Sequence, residues 1–186
     1  MKIQRIAFLG SVAFLLGVLS QFSAAASTKV LKLEGEMPLG VSISAGAYFQ
    51  ATKGGVLSGC KSWSLGGSVF KGESRDYAPV LSQNGYNVDI DLNSYGHCGY
   101  RPEAVSLEVK EFAGEREASI NLNLIPKENA PTLASGMTIY CKEFNSSATG
   151  FRCSVDGGSF YSTNTSLNLP RDYDDSKSYS VDFVMQ

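Results

Sequence analysis

Between residues 104 and 112 the chain reads AVSLEVKEF, with Val105, Leu107 and Val109 on one parity and Ser106, Glu108 and Lys110 on the other. A period of two fits a β-strand, whose successive side chains point to opposite faces, one packed and one wet. The pattern recurs. ASINLNLIP sets Ile120, Leu122 and Leu124 against Asn121 and Asn123, and YNVDIDLN sets Val88, Ile90 and Leu92 against Asp89, Asp91 and Asn93. SYSVDFVMQ alternates Tyr179, Val181, Phe183 and Met185 with Ser180 and Asp182. GVSISAGAYF and KVLKLEGE add two earlier strands. Gly-, Asn-, Ser- and Pro-rich connections separate these runs by roughly 8–14 residues, the rhythm of an all-β sandwich or barrel. No segment carries a sustained helical stripe, although residues 71–84 have room for one short helical turn. The expected fold is all-β: a mostly antiparallel β-sandwich, immunoglobulin-like or jelly-roll-like, stapled by two disulfides.

The first residues predict export. Lys2 and Arg5 precede an apolar run from Ile6 to Leu19, and SAAAS supplies the small residues a signal peptidase reads. Residues 1–26 are therefore expected to be a signal peptide cleaved after Ala26. The apolar run of 14 residues is shorter than the roughly 20 a membrane span needs, so no stable membrane span is expected. Residues 27–186 are expected to form a single β-sandwich domain, with a possible sub-boundary near 126–135, where Pro126 and Pro131 lie. The protein would be periplasmic or secreted. Partner, organism and oligomeric state are not encoded in any motif.

The leader holds two of the 16 basic residues and none of the 18 acidic ones, so the remainder has 14 basic against 18 acidic residues, net −4. With no basic cluster, nucleic acid is not an expected partner. Lysines and arginines are scattered along the chain, so an anionic membrane surface is not expected either.

All four cysteines, Cys60, Cys98, Cys141 and Cys153, lie beyond the leader. An even number in an exported chain predicts two disulfides. MTIYCKEFNSSATGFRCSVDG reads as a hairpin reversing near Ser147, which sets Cys141 opposite Cys153, with 139/155 and 143/151 also facing. Opposed residues of a non-hydrogen-bonded antiparallel pair are close enough to bridge. Cys141–Cys153 is thus the preferred pair, and Cys60–Cys98 follows by elimination. Each would contribute about 3–4 kcal/mol by restricting the unfolded chain.

NSYGHCGYRP, residues 93–102, places the only histidine, His97, beside Cys98. A catalytic Cys–His pair needs a free thiolate, and an oxidised Cys98 has none. Gly96, Gly99 and Pro102 mark a stapled turn instead. No G-x-S-x-G elbow supports a serine nucleophile. One histidine, no H-E-x-x-H and no C-x-x-C give no zinc signature. Asp89, Asp91 and Asn93 match the start of a calcium loop, but Ser94 replaces its glycine and Tyr100 its final glutamate. Asp172, Asp174 and Asp175 read as a solvated turn. NSS at Asn145 and NTS at Asn164 match the glycosylation sequon. No cofactor and no metal site are expected.

Aromatic residues are the remaining functional signal. If Cys60 bridges Cys98, then Trp63, Tyr95, His97 and Tyr100 gather at one end of the molecule, with Arg101 next to them. Tryptophan, tyrosine and arginine in loops favour a binding surface. The expectation is an exported, non-enzymatic protein that binds another macromolecule, an unidentified protein or a surface glycan. That description covers an inhibitor or immunity-type protein, an adhesin or a structural subunit. The alternative is an envelope glycan hydrolase working through two carboxylates, which such a fold could place about 5–10 Å apart.

Overall fold

The computed structural model describes residues 29–111, 117–143, 151–155, 162, 164–170, 173 and 177–186. The expected leader, residues 1–26, lies outside these residues, as do Asn145 and the aspartates 172, 174 and 175.

Every named element is a strand: β1 Val30–Glu36, β2 Val41–Gln50, β3 Lys61–Ser64, β4 Gly67–Phe70, β5 Gly72–Tyr77, β6 Val80–Leu81, β7 Gly85–Asp91, β8 Arg101–Glu111, β9 Glu117–Asn123, β10 Met137–Glu143, β11 Phe151–Val155, β12 Asn164–Asn168 and β13 Ser178–Met185. Two main sheets form, with strand orders β11-β10-β13-β1-β7-β6 and β12-β9-β8-β2-β5, and β3-β4 is a separate two-stranded hairpin. Alternation decides which side chains meet. Leu31, Leu33, Val88, Ile90, Ile139, Val181 and Phe183 of the six-stranded sheet share one buried cluster with Ile43, Phe49, Val105, Leu107, Ile120 and Leu122 of the five-stranded sheet. The arrangement is sandwich-like. Each fully buried side chain of this size stabilises the fold by about 1.5–3 kcal/mol.

Seven strand pairings are antiparallel. The other three are parallel: β1–β13, β10–β13 and β9–β12. Because β13 lies between β1 and β10, the last strand is interior to its sheet. Strands before and after residues 126–135 therefore share both sheets. The segment itself is strapped down by Asn168, whose amide donates to the Lys127 and Ala130 carbonyls at 2.9 Å and accepts from the Lys127 amide. Within it, Leu133 fills a buried position.

The helical turn expected within 71–84 is absent. Those residues form β5, paired with β2 from Ala45↔Tyr77 to Gln50↔Gly72, and the short edge strand β6 on β7. An exposed edge strand needs no apolar alternation, so pairing with a core strand overrides the weak local signal. Tyr86 is buried in β7, and its hydroxyl donates to the Val181 carbonyl at 3.0 Å. Beside it, β1 approaches β13 so closely that a Cβ on Gly35 would lie 2.1 Å from that same carbonyl oxygen.

In β8 the register against β2 shifts between Tyr48↔Ala104 and Phe49↔Pro102. The extra residue is Glu103. Proline has no N–H to give the ladder, so it is tolerated where a bulge already interrupts pairing. This irregular start of β8 leads back to the stapled turn.

Candidate functional site: the stapled turn and its projecting arm

Cys60–Cys98 and Cys141–Cys153 are both bonded. In the second pair, Cys141 and Cys153 face each other with Cα atoms 4.1 Å apart, and Ile139↔Val155 and Glu143↔Phe151 flank them as the hairpin register requires. The two disulfides fit an oxidising compartment.

The turn of residues 95–100 is closed by reciprocal Tyr95 and Tyr100 backbone bonds at 3.1 and 2.9 Å, and the Gly99 amide donates to the Gly96 carbonyl at 3.1 Å. Gly96 and Gly99 have φ of +68° and +60°, the left-handed region that glycine adopts without penalty. The Cys98 carbonyl accepts from the amides of both Thr52 and Lys53 at 3.1 Å, and the Thr52 hydroxyl donates to Gly99 O at 2.7 Å. His97 Nε2 lies 3.1 Å from the Ser58 carbonyl and 3.3 Å from Cys98 Sγ. A carbonyl can only accept, so Nε2 is the protonated nitrogen when that bond is made. His97 thus links the turn to the 52–60 loop. The donor atoms of Cys60, His97 and Cys98 lie within 4.8 Å of one another. Metal ligation requires thiolates, and here the two sulfurs are bonded to each other.

Tyr95 and Tyr100 face inward rather than out. Their rings stack at 5.2 Å between centroids, Phe49 meets Tyr95 edge-on at 5.1 Å, and the Arg75 guanidinium lies 3.3 Å from the Tyr95 ring centroid. Burial raises the Tyr95 phenol above its ordinary pKa, opposed by the charge of Arg75. This Arg–Tyr–Tyr–Phe cluster clamps the turn onto the five-stranded sheet. Arg101 goes elsewhere: with Lys29, Asn93, Leu124, Pro170 and Tyr173 it borders an open cleft of about 810 Å³. Of the five expected binding residues, two belong to the clamp, one to the staple and one to a cleft.

Trp63 alone projects. It lies on the β3–β4 hairpin, 77% exposed. The hairpin pairs Lys61↔Phe70, Ser62↔Val69, Trp63↔Ser68 and Ser64↔Gly67, leaving Leu65 and Gly66 at the tip. The Ser64 hydroxyl donates to Gly67 O at 2.9 Å. At the base, Lys71 N donates to Cys60 O and Ala51 N to Lys71 O, while Phe70 packs against Ala51, Cys60 and Cys98. The bridge thus anchors a projecting arm. Leu65 at the tip and Leu57 in the adjoining loop are fully exposed. Leu65 has a signal in the sequence, the W-x-L alternation running into Gly66-Gly67; Leu57 has none.

Two carboxylates, Asp76 and Glu108, border a shallow depression of about 300 Å³ with Ser44, Gly46 and Lys110. Lys110 reaches Glu108 at 3.0 Å and Glu117 at 3.4 Å, and the Ser44 hydroxyl lies 3.3 Å from Glu108. Asn164 occupies β12, where its side chain accepts from the Asn121 amide. No protein-family model, no curated protein and no solved structure matches the chain.

Proposed function

We propose that this is an exported, non-enzymatic protein that binds another macromolecule or macromolecular assembly of the cell envelope or its surroundings. One observation carries the reading: a disulfide-anchored hairpin that holds Trp63 and Leu65 out in solvent. Leaving a tryptophan and a leucine exposed on a two-stranded hairpin forgoes burial worth about 1.5–3 kcal/mol for each. Tryptophan is among the commonest interface anchors, and Leu65 extends the apolar surface beside it. The contact surface is therefore centred on Trp63, Leu65 and Leu57 rather than on Tyr95 and Tyr100, which hold the turn.

The test is capture from envelope and secreted fractions by the oxidised protein, comparing wild type with a Trp63→Ala/Leu65→Ser double variant. Both side chains are solvent-exposed, so the variant keeps its fold. The reading expects a stoichiometric partner that the variant fails to retain. Equal retention by both would refute the placement. The hydrolase alternative draws on Asp76 and Glu108. It predicts turnover of envelope glycan that Glu108→Gln abolishes and the arm variant leaves intact.

A further inference from the structure

We propose that the arm is a membrane-docking element whose tip enters the interface of an anionic phospholipid bilayer. The inference rests on the reading of the arm as the contact surface and names what it contacts.

Three observations converge. The first is charge. Residues 51–71 contain Lys53, Lys61 and Lys71 and no acidic residue, while the rest of the chain after residue 26 has 11 basic against 18 acidic residues, net −7. Lysines that look scattered in sequence are gathered by the fold: Lys61 pairs across the hairpin with Phe70, Lys71 is bonded through its backbone to Cys60 and Ala51, and Lys53 is bonded to Cys98. All three ring the base of the arm. An acidic molecule with one cationic projection is attracted to an anionic surface in one orientation only.

The second is depth. With a rise of about 3.3 Å per strand residue, Trp63 lies about 7 Å and Lys61 about 13 Å behind Leu65. Interfacial elements bury their apolar side chains about 5–10 Å into the boundary between headgroups and acyl chains. Leu65 would then reach the upper acyl region and Trp63 the interface that tryptophan favours. The lysines would sit at the level of the lipid phosphates.

The third is backbone cost. An inserted segment must satisfy its own polar groups. Pairing of Lys61 to Ser64 with Gly67 to Phe70 and the Ser64 hydroxyl on the Gly67 carbonyl satisfy the inward-facing groups, while the outer edges of this separate two-stranded hairpin stay open, so its backbone belongs in the hydrated headgroup layer and only the tip side chains pass below it. The anchors protrude singly, Leu65 and Leu57 fully exposed, rather than forming a packed patch. That arrangement suits a fluid apolar medium better than a shaped protein pocket.

Trp63 is the only tryptophan, so it reports its own insertion. The oxidised protein beginning at Ser27 contains every described strand and omits the apolar leader, which would bind lipid by itself. It is titrated with vesicles of phosphatidylglycerol and phosphatidylcholine and with phosphatidylcholine alone. The expected result is a blue shift of emission and co-sedimentation with the anionic vesicles only, weakened by salt. Leu65→Ser should weaken binding about ten-fold or more. Replacing each lysine by glutamine should weaken it about five-fold, and all three together about a hundred-fold. No binding to anionic vesicles, or binding indifferent to these substitutions, would overturn the proposal. Arm-dependent capture of a protein partner without vesicle binding would overturn it while leaving the reading of the arm intact. Loss of both would overturn both.

Discussion

The two disulfides close loops of very different length, which gives a quantitative prediction about their contributions. Cys60 and Cys98 are separated by 38 residues, Cys141 and Cys153 by 12. If a cross-link acts by removing loop-closure entropy from the unfolded chain, the first is worth about 4 kcal/mol and the second about 3 kcal/mol. Simple cysteine-to-alanine pairs would confuse this difference with cavity costs, because Cys141 and Cys153 lie in the main core and Cys60 and Cys98 in a small satellite cluster. The clean comparison is between the oxidised and reduced forms of one chain. A Cys141→Ala/Cys153→Ala protein isolates the long loop, and a Cys60→Ala/Cys98→Ala protein isolates the short one. Urea unfolding of each, with and without reductant, should be followed by far-ultraviolet circular dichroism. Trp63 is exposed in the native state, so its fluorescence reports the global transition poorly. Reduction should cost about 1 kcal/mol more in the protein that retains Cys60–Cys98. An equal loss, or a larger loss for the short loop, would refute the entropic reasoning and assign the stabilisation to native-state contacts.

Burial holds the Tyr86 phenol well above its ordinary pKa, with Asp182 and Glu34 adding to the shift. Because the unfolded phenol ionises first, near pH 10, the unfolded state binds fewer protons than the native state at higher pH. Stability should then fall by about 1.4 kcal/mol per pH unit above about pH 10. Tyr86→Phe should flatten that alkaline limb in urea titrations while costing about 1 kcal/mol at neutral pH for the bond to Val181 O. Gly35→Ala drives a Cβ into the Val181 backbone and should cost about 2–4 kcal/mol. For Gly72→Ala the nearest obstacle is the outer end of the Tyr48 side chain, which is exposed enough to swing aside, so the cost should be smaller than for Gly35→Ala, as thermal unfolding of the two variants would show. Tyr95→Ala removes the stack on Tyr100, the edge contact with Phe49 and the Arg75 contact. It should cost about 2–3 kcal/mol by denaturant unfolding.

The legible part of the sequence was the part whose energetics are local in period. β1, β2, β7, β8, β9 and β13 each bury one parity of side chains, and that parity is written in the chain; the exception is Asn123, on the polar parity of β9, which is buried with its amide donating to Ser166 Oγ and Leu167 O. The β10–β11 register followed from a hairpin that sets Cys141 against Cys153. The remaining strands lack that contrast. β3 to β6 are exposed on most of their length, and β12 holds one short run ending in Leu167 and Asn168. The parallel pairings of β13 and β12 join strands distant in sequence, so no local window announces them. The site was half legible for the same reason. The Cys60–Cys98 bridge, reached by elimination, ties the turn that holds Tyr95, His97 and Tyr100 to the base of the hairpin that carries Trp63. What turned the tyrosines inward was Phe49 from β2 and Arg75 from β5, delivered by non-local pairing. The arm's cationic base likewise arises only when residues 53, 61 and 71 are folded against the turn.

The most direct test of the central claim, that the arm is the contact surface, is a fluorine NMR spectrum. The oxidised protein would carry 5-fluorotryptophan at its single tryptophan, Trp63, and be observed against unlabelled envelope and secreted fractions. The account predicts one sharp resonance for the free protein that broadens or shifts when its target is present, and that keeps its free position in the Leu65→Ser variant. A resonance that stays sharp and unmoved while the protein is demonstrably retained by the fraction would mean that the target binds elsewhere.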